Sequence, residues 1–465
     1  MTGAGTRAPW RLAAVYVTCL ACAETAPPRA EFLVFVDTDT PVAGLALRSP
    51  RLADASIDSL HVDVIDAEGF PYATRDIVAS NTSNWPVSFG IKPPQDGSVV
   101  HLRMRGYRSD RVLGDPTSSD YASVVIDRLA DLPPSTSGVE AVEIVLHGDC
   151  FGVSSSLVTH QTCSSGADSS GAPSDGVVVL PSTATPTSVV GRWGKANPTS
   201  CEGDPPEGSV CIPGGVTFLG DTRLTEADSL FQVPAVPLRP VAVSAFFLDK
   251  DEFTVGRLRP IVSRLSAGAP PGASSKAGET DCTWLGPDDS TNDALPVNCV
   301  TWNMASEACG LVGGALPTEA EWEHAARGGG SGWTYPWGLQ APACCSANVP
   351  FSVGDGACPN RPVMAPGSFA TGCGGVVDVS LDRVFDLDGN VLELVADTVT
   401  SYADPCWGTG VPVDPICPKA SGNGHISRGG THDESGPTAG VAAVRWTVEG
   451  SDPVGFRCAY PGAKP

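Results

Sequence analysis

Basic residues are scarce in this sequence: 29 lysines and arginines face 52 aspartates and glutamates, a net charge of −23 over 465 residues. That balance repels a phosphate backbone and an anionic bilayer surface, so nucleic acid is not an expected partner. Long apolar runs are lacking too. None reaches the roughly 20 residues that a membrane-spanning helix needs, which leaves an N-terminal lipid as the expected attachment to any membrane. No pair of CxxC motifs is present to suggest a structural zinc site. What the chain does have is length for two or three domains and 42% hydrophobic content for their cores.

Residues 1–22 read as an export signal: Arg7 and Arg11 flank a short start, Leu12 to Ala21 is apolar, and small residues precede Cys22. Leu20-Ala21-Cys22 loosely matches a bacterial lipobox, with Cys19 where leucine is usual, and Cys22 would then be lipidated as the mature N-terminus. The alternative is a plain secretory signal cut nearby. Either way the expectation is an exported protein, a cell-envelope lipoprotein or a secreted chain. Its 16 cysteines then point to disulfides, and losing Cys19 and lipidating Cys22 leaves 14 for seven bridges. Cys150 with Cys163, Cys201 with Cys211, Cys282 with Cys299 and Cys406 with Cys417 suggest locally stapled loops. Cys344 and Cys345 are too close for an easy bridge to each other.

From residue 31 to 150, alternating runs such as Phe32–Val36, Leu60–Ile65, Val99–Arg105 and Val142–Leu146 are separated by turn residues. This pattern predicts an all-β sandwich of immunoglobulin-like type. Its His61, His101 and His147 lack a supporting ligand spacing and are expected to be surface or hydrogen-bonded residues. Residues 164–189 are rich in Ser, Gly, Pro and Thr and read as a flexible linker. Beyond it, Thr318 and Glu321 form a capping box at the start of a helix that Gly328 ends. A second helix is expected over Asn303–Leu311, where Met304, Ala308 and Leu311 share a stripe.

The segments CIPGGVTFLGD (Cys211–Asp221), VSAFFLDKDEFTVGRL (Val243–Leu258), LPVNCVTWNMASEAC (Leu295–Cys309) and LPTEAEWEHAARGG (Leu316–Gly329) are followed by YPWG (Tyr335–Gly338), GNVLEL (Gly389–Leu394), SRGGTH (Ser427–His432) and GFRCAYP (Gly455–Pro461). In this order they resemble the formylglycine-generating enzyme, or sulfatase-modifying factor, domain, here over residues 211–461. The resemblance implies a mixed α+β, complex C-type-lectin-like fold poor in regular secondary structure. It also implies an oxidase that converts a sulfatase cysteine to formylglycine with dioxygen and a copper(I) held by two cysteines. Copper(I) is soft and favours thiolates, yet the two family positions fall here on Glu434 and Ala439. Copper is therefore not expected. No cysteine lies between Cys417 and Cys458, and Cys458 resembles the family's structural partner of Cys309.

The resemblance also implies calcium. One site falls on Asp386, the Gly389 and Val391 carbonyls and Glu393, a hard-oxygen set that suits the ion. A second falls on Asn348, the Val349 carbonyl, Asp355 and the Ala357 carbonyl. Thr431, His432, Asp433 and Glu434 lie where the family has its groove; as neighbours in sequence they read as a polar lining rather than an acid–base constellation. Trp333, Trp337, Trp407 and Trp446 are expected mostly in the core. The function expected is a non-catalytic binding or structural module for a peptide, glycan or protein ligand. The rival is an oxidase of the same type working without the cysteine pair. A sulfoxide synthase of the ergothioneine pathway shares the fold but needs an N-terminal helical iron domain that these β runs do not supply.

Overall fold

The computed structural model describes residues 30–462 apart from 45–55, 95–96, 135–137, 165–169, 182–183, 225–231, 267, 271–281, 351, 354–355, 360, 372–376, 419–423, 434–440 and 449–453. Cys22, Asp355, Glu434 and Ala439 lie outside the described residues. No described helix is long and apolar enough to cross a membrane.

The N-terminal region is β-rich. Seven strands, β1 (Glu31–Thr38), β2 (Ser59–Ile65), β3 (Pro71–Val78), β4 (Val87–Ile91), β5 (His101–Tyr107), β6 (Ile126–Asp131) and β7 (Val139–Leu146), enter two four-stranded sheets. One sheet runs β3-β2-β5-β6, and the other sets β1 between β4 and β7. The alternation is plainest in β4, where Val87, Phe89 and Ile91 are buried while Ser88 and Gly90 face out. Residues such as Phe32, Val62, Leu102 and Ile144 from both sheets share one core. Edge strand β3 is almost wholly exposed.

The expected linker is in part a strand. Val177–Leu180 pairs antiparallel with β7, completing the sheet of β4, β1 and β7. Further on, Val189 donates its amide to the Asp37 carboxylate at 2.6 Å. The Ser- and Gly-rich surroundings conceal a VVVL run whose β-branched residues suit an edge position. The three histidines are hydrogen-bonded as expected, His61 to Asp76, His101 to Asp131 and His147 to Asp39.

The C-terminal region contains short strands, many loops and, among the described residues, two helices of eight residues or more, Trp302–Leu311 and Glu319–Ala326. Thr301 caps the first, one residue earlier than the sequence pattern placed its start. Thr318 caps the second through the expected box, accepting from the Glu321 amide at 3.1 Å while its own amide donates to Glu321 at 2.7 Å. Gly328 then takes a φ of 70° past the helix end. The two regions pack together: Phe151 meets Phe218 edge to face, and the Ser123 hydroxyl donates to the Leu238 carbonyl at 2.6 Å.

Candidate functional site: a buried ionic frame behind an acidic loop

On the buried face of the Glu319 helix, Glu319, Trp322 and Glu323 each anchor something. Glu319 accepts from Arg445 Nε at 2.6 Å and Nη2 at 2.9 Å, from Arg428 Nη1 at 3.0 Å and from the Tyr402 hydroxyl at 3.2 Å. Glu323 accepts from Arg428 Nη2 at 2.6 Å, Arg327 Nη1 at 2.9 Å and the Gly220 amide at 2.8 Å. Burial opposes ionisation of Glu319, yet Arg445 and Arg428 hold its carboxyl below the usual range. Arg428 belongs to the SRGG corner, so this network ties the corner to the helix. Trp322, between the two glutamates, donates its indole N–H to Glu393 at 2.8 Å.

Glu393 thereby has a role that its sequence position does not reveal. Its second partner is Arg457 of the GFRC segment, whose Nε reaches it at 2.7 Å and whose Nη2 completes a bidentate pair. Arg457 also donates to the carbonyls of Phe385 at 2.9 Å and Asp386 at 3.2 Å. The carboxylate expected to hold calcium is thus committed to a buried ion pair, and Arg457 clamps the loop that leads to it.

The rest of that loop is tightly determined. Asp386 and Asn390 have φ of 52° and 60°, and Gly389 has 86°. A Cβ at Gly389 would lie 2.5 Å from the Asn348 carbonyl oxygen, so only glycine fits there. The Asn390 amide donates to that same carbonyl at 3.1 Å, and the Gly389 amide donates to Gly429 at 2.6 Å. The Asn390 side chain donates to Glu252 at 2.7 Å and accepts from Asn348 Nδ2 at 3.0 Å. The two expected calcium loops are therefore adjacent at Asn348 and Gly389, and the groove corner touches the second of these through Gly429 and His432.

Electrostatics there are unbalanced. Both carboxylate oxygens of Asp378 and of Asp388, and Oδ1 of Asn348, are buried without a hydrogen-bond partner. Burial first, then the charges of Asp386 and Asp388, push the Asp378 carboxyl well above the ordinary range. Burial does the same to Asp388. Asp386 is raised to about 6, again mainly by burial. Orphaned buried oxygens are costly unless a proton or a cation meets them. Among the described residues no three His, Cys, Asp or Glu side chains form a metal-binding group by themselves. A hard cation here would draw on carbonyl and amide oxygens beside the carboxylates, as calcium does. Asp378 and Asp388 were not singled out in the sequence, because isolated aspartates in a turn-rich stretch look like solvated ones.

The groove residues are bonded locally. His432 is buried, with its amide donating to the Asn390 carbonyl at 3.2 Å and its Nδ1 3.1 Å from the same oxygen. Thr431 donates its hydroxyl to Asp433. Trp407 and Trp446 are core residues, whereas Trp333 and Trp337 are half-exposed and line a shallow cleft of about 380 Å³ with Arg383. Trp333 packs directly on the helix-end glycine: a Cβ on Gly328 would sit 2.9 Å from its ring.

Every pairing suggested by near neighbours is present, Cys150–Cys163, Cys201–Cys211, Cys282–Cys299 and Cys406–Cys417. So is Cys309–Cys458. Cys344 bonds to Cys358 and closes the loop after Asn348, and Cys345 is disulfide-bonded too.

Residues 195–461 match the family described as the sulfatase-modifying factor enzyme 1-like domain, starting earlier than Cys211. Over 291 residues the chain is 28% identical to a formylglycine-generating enzyme of Streptomyces coelicolor, covering 54% of this chain and 88% of that one. It is also 28% identical over 297 residues to one from Thermomonospora curvata, covering 54% of this chain and 93% of that one. A shorter stretch of 44 residues is 59% identical to the inactive C-alpha-formylglycine-generating enzyme 2 of Mus musculus, spanning 10% of this chain and only 14% of that protein. Among solved structures, Treponema denticola variable protein 1 aligns at 19% identity with a TM-score of 0.36, over 54% of this chain and 94% of the other.

Proposed function

The chain belongs to the sulfatase-modifying factor enzyme 1-like family, and from that premise we propose that it is an exported, non-catalytic member. In this reading a disulfide- and calcium-stiffened scaffold presents a groove to a peptide, glycan or protein partner. The cysteine inventory carries the proposal. All 13 cysteines among the described residues are disulfide-bonded. The two that flank the groove corner in sequence, Cys417 and Cys458, are bonded to Cys406 and Cys309, and no other cysteine lies between them. A copper(I) centre built from paired thiolates does not fit these residues, so no oxidative step is assigned to it. The test is turnover: a peptide bearing Cys-x-Pro-x-Arg, offered with copper(I) and dioxygen, stays unmodified.

Calcium fits the acidic loop better. The donors proposed are Asp386, the carbonyls of Gly389 and Val391, and the orphaned oxygens of Asp388, Asp378 and Asn348. Glu393 stays paired with Arg457. The second site, with the Val349 and Ala357 carbonyls and Asp355, shares the Asn348 loop. Bound calcium would neutralise buried carboxylates and hold the loop against the groove corner.

The pH dependence has a definite sign. These carboxyls have folded-state pKa values above their unfolded ones, so without metal the folded state loses stability as pH rises from about 4 through about 6, where Asp386 titrates. Calcium requires the ionised forms, so its stabilisation grows over the same interval. Ion at ~100 times its dissociation constant adds ~2.7 kcal/mol, or roughly 5–10 °C in Tm for a domain of this size. Calorimetry at pH 5.5 and 7.5, with calcium or chelator, should give the larger calcium shift at pH 7.5. Identical Tm values with and without the ion at both pH values would contradict the site.

Residues 1–22 are proposed as the export signal, with Cys22 carrying a lipid. The β-rich unit at 31–150 is proposed as an immunoglobulin-like module between that anchor and the family domain.

A further inference from the structure

The cleft of about 380 Å³ beside the YPWG segment shares none of its described lining residues with the groove corner at Thr431, His432 and Asp433. One wall is aromatic, built from Trp333 and Trp337. The other comes from the segment just before the acidic loop, where side chains alternate. Val377, Val379, Leu381 and Arg383 line the cleft, while Asp378, Ser380, Asp382 and Val384 are buried behind them. The bed of the cleft is therefore apolar.

Both walls are set in advance. Trp337 stacks on Tyr335 with ring centroids 5.2 Å apart, and its indole N–H donates to the Gln340 carbonyl at 2.9 Å. The opposite wall is a closed turn: the Arg383 amide donates to the Ser380 carbonyl at 3.0 Å, and the Ser380 amide to the Val384 carbonyl at 2.9 Å. Arg383 has a φ of 67°, a conformation that favours glycine, yet the position carries a long cation. A preformed cleft of this kind costs a partner little reorganisation.

The polar groups left over are mostly of one kind. Among the described residues, neither the Trp333 indole N–H nor the Arg383 guanidinium has a hydrogen-bond or ion-pair partner. Both are donors. The Ser380 hydroxyl already accepts from the Val384 amide at 3.1 Å, so Gln340 alone among the lining side chains adds a free acceptor. A sugar would bring hydroxyl hydrogens that find few acceptors here. A proline-rich segment brings the reverse: carbonyl acceptors, no N–H at its prolines, and apolar rings that pack on indoles. Its polyproline II form holds no internal hydrogen bonds, so those carbonyls stay available, and aromatic-lined grooves suit it. The unpaired guanidinium calls for a carboxylate beside the prolines.

We propose that this cleft docks a proline-rich segment of a partner protein in polyproline II form, with prolyl rings against Trp333 and Trp337 and an adjacent Glu or Asp on Arg383. The site is separate from the groove proposed above and stands whether or not that groove is occupied.

Isothermal titration of the full mature protein tests this with a hexaproline–glutamate peptide, its glutamine counterpart, a Gly/Ser peptide ending in the same glutamate, and cellotriose. The hexaproline–glutamate peptide should bind saturably at one site, its glutamine counterpart at least roughly threefold more weakly, and the Gly/Ser peptide and cellotriose at least roughly tenfold more weakly. Arg383→Gln, at an exposed side chain without an ion pair, should keep Tm and erase the difference between the two proline peptides. Trp333→Leu should weaken both of them alike. The proposal is overturned if no proline peptide binds saturably, if the Gly/Ser peptide or cellotriose binds as tightly, if Arg383→Gln leaves the preference for glutamate intact, or if Trp333→Leu leaves both affinities unchanged.

Discussion

Replacing Glu319 by alanine should destabilise the family domain more than any other single carboxylate substitution in it. The side chain is fully buried and accepts from Arg445, Arg428 and Tyr402 together. Removing it strands the buried Arg445 guanidinium and leaves Arg428 with Glu323 as its one carboxylate partner. Breaking a buried pair costs about 3–5 kcal/mol, because the surviving charge is stranded rather than because the pair was strongly favourable. For a domain of this size the expected fall in Tm is roughly 6–20 °C. Glu319→Gln should recover part of that fall, since it keeps the volume and one acceptor. A loss below about 1 kcal/mol for Glu319→Ala, by denaturant titration, would mean that the network is not the frame described.

The second large effect is expected at Cys309–Cys458, which joins the Trp302 helix to the C-terminal segment across a separation of 149 residues. Loop-closure entropy assigns a bridge of that span about 5 kcal/mol. Cys406–Cys417 spans only 11, for which the same treatment gives about 3 kcal/mol. Replacing both members of each pair by serine should therefore lower Tm more for the long-range bridge. Losing it also frees Arg457 and the adjacent strand Ala459–Pro461, which pairs with Phe246–Asp249. Equal losses from the two pairs would show that strain or unfolded-state structure outweighs loop length here.

How much of this was legible in the sequence varies with the range of the interaction. The Thr318–Glu321 capping box is local and appears as expected. The near-neighbour disulfides likewise need only short spacing. The Val177–Leu180 strand was missed because the composition around it is that of a linker, and only pairing with β7 gives those valines a place. Glu319, Arg428 and Arg457 lie inside recognisable motifs and Arg445 outside them, yet no periodicity announces that three glutamates and three arginines will be buried in ion pairs. Their partners are separated by 64 to 126 residues. The orphaned oxygens of Asp378 and Asp388 are equally invisible in sequence, since burial of a turn residue depends on what the rest of the chain folds over it. Trp333 and Trp337 line a cleft, with Trp337 stacked on Tyr335 and packed against the small cluster of Ala347, Val349 and Cys358, a placement that residue type alone does not announce.

The non-catalytic reading rests on the absence of any cysteine between Cys417 and Cys458. Formylglycine formation is the most direct test. Purified mature protein, loaded with copper(I) under dioxygen, is incubated with a Cys-x-Pro-x-Arg peptide, and the peptide mass is followed beside a no-protein control. The account predicts no conversion above the control. Conversion above it would contradict the non-catalytic reading and show that this fold oxidises cysteine through other ligands.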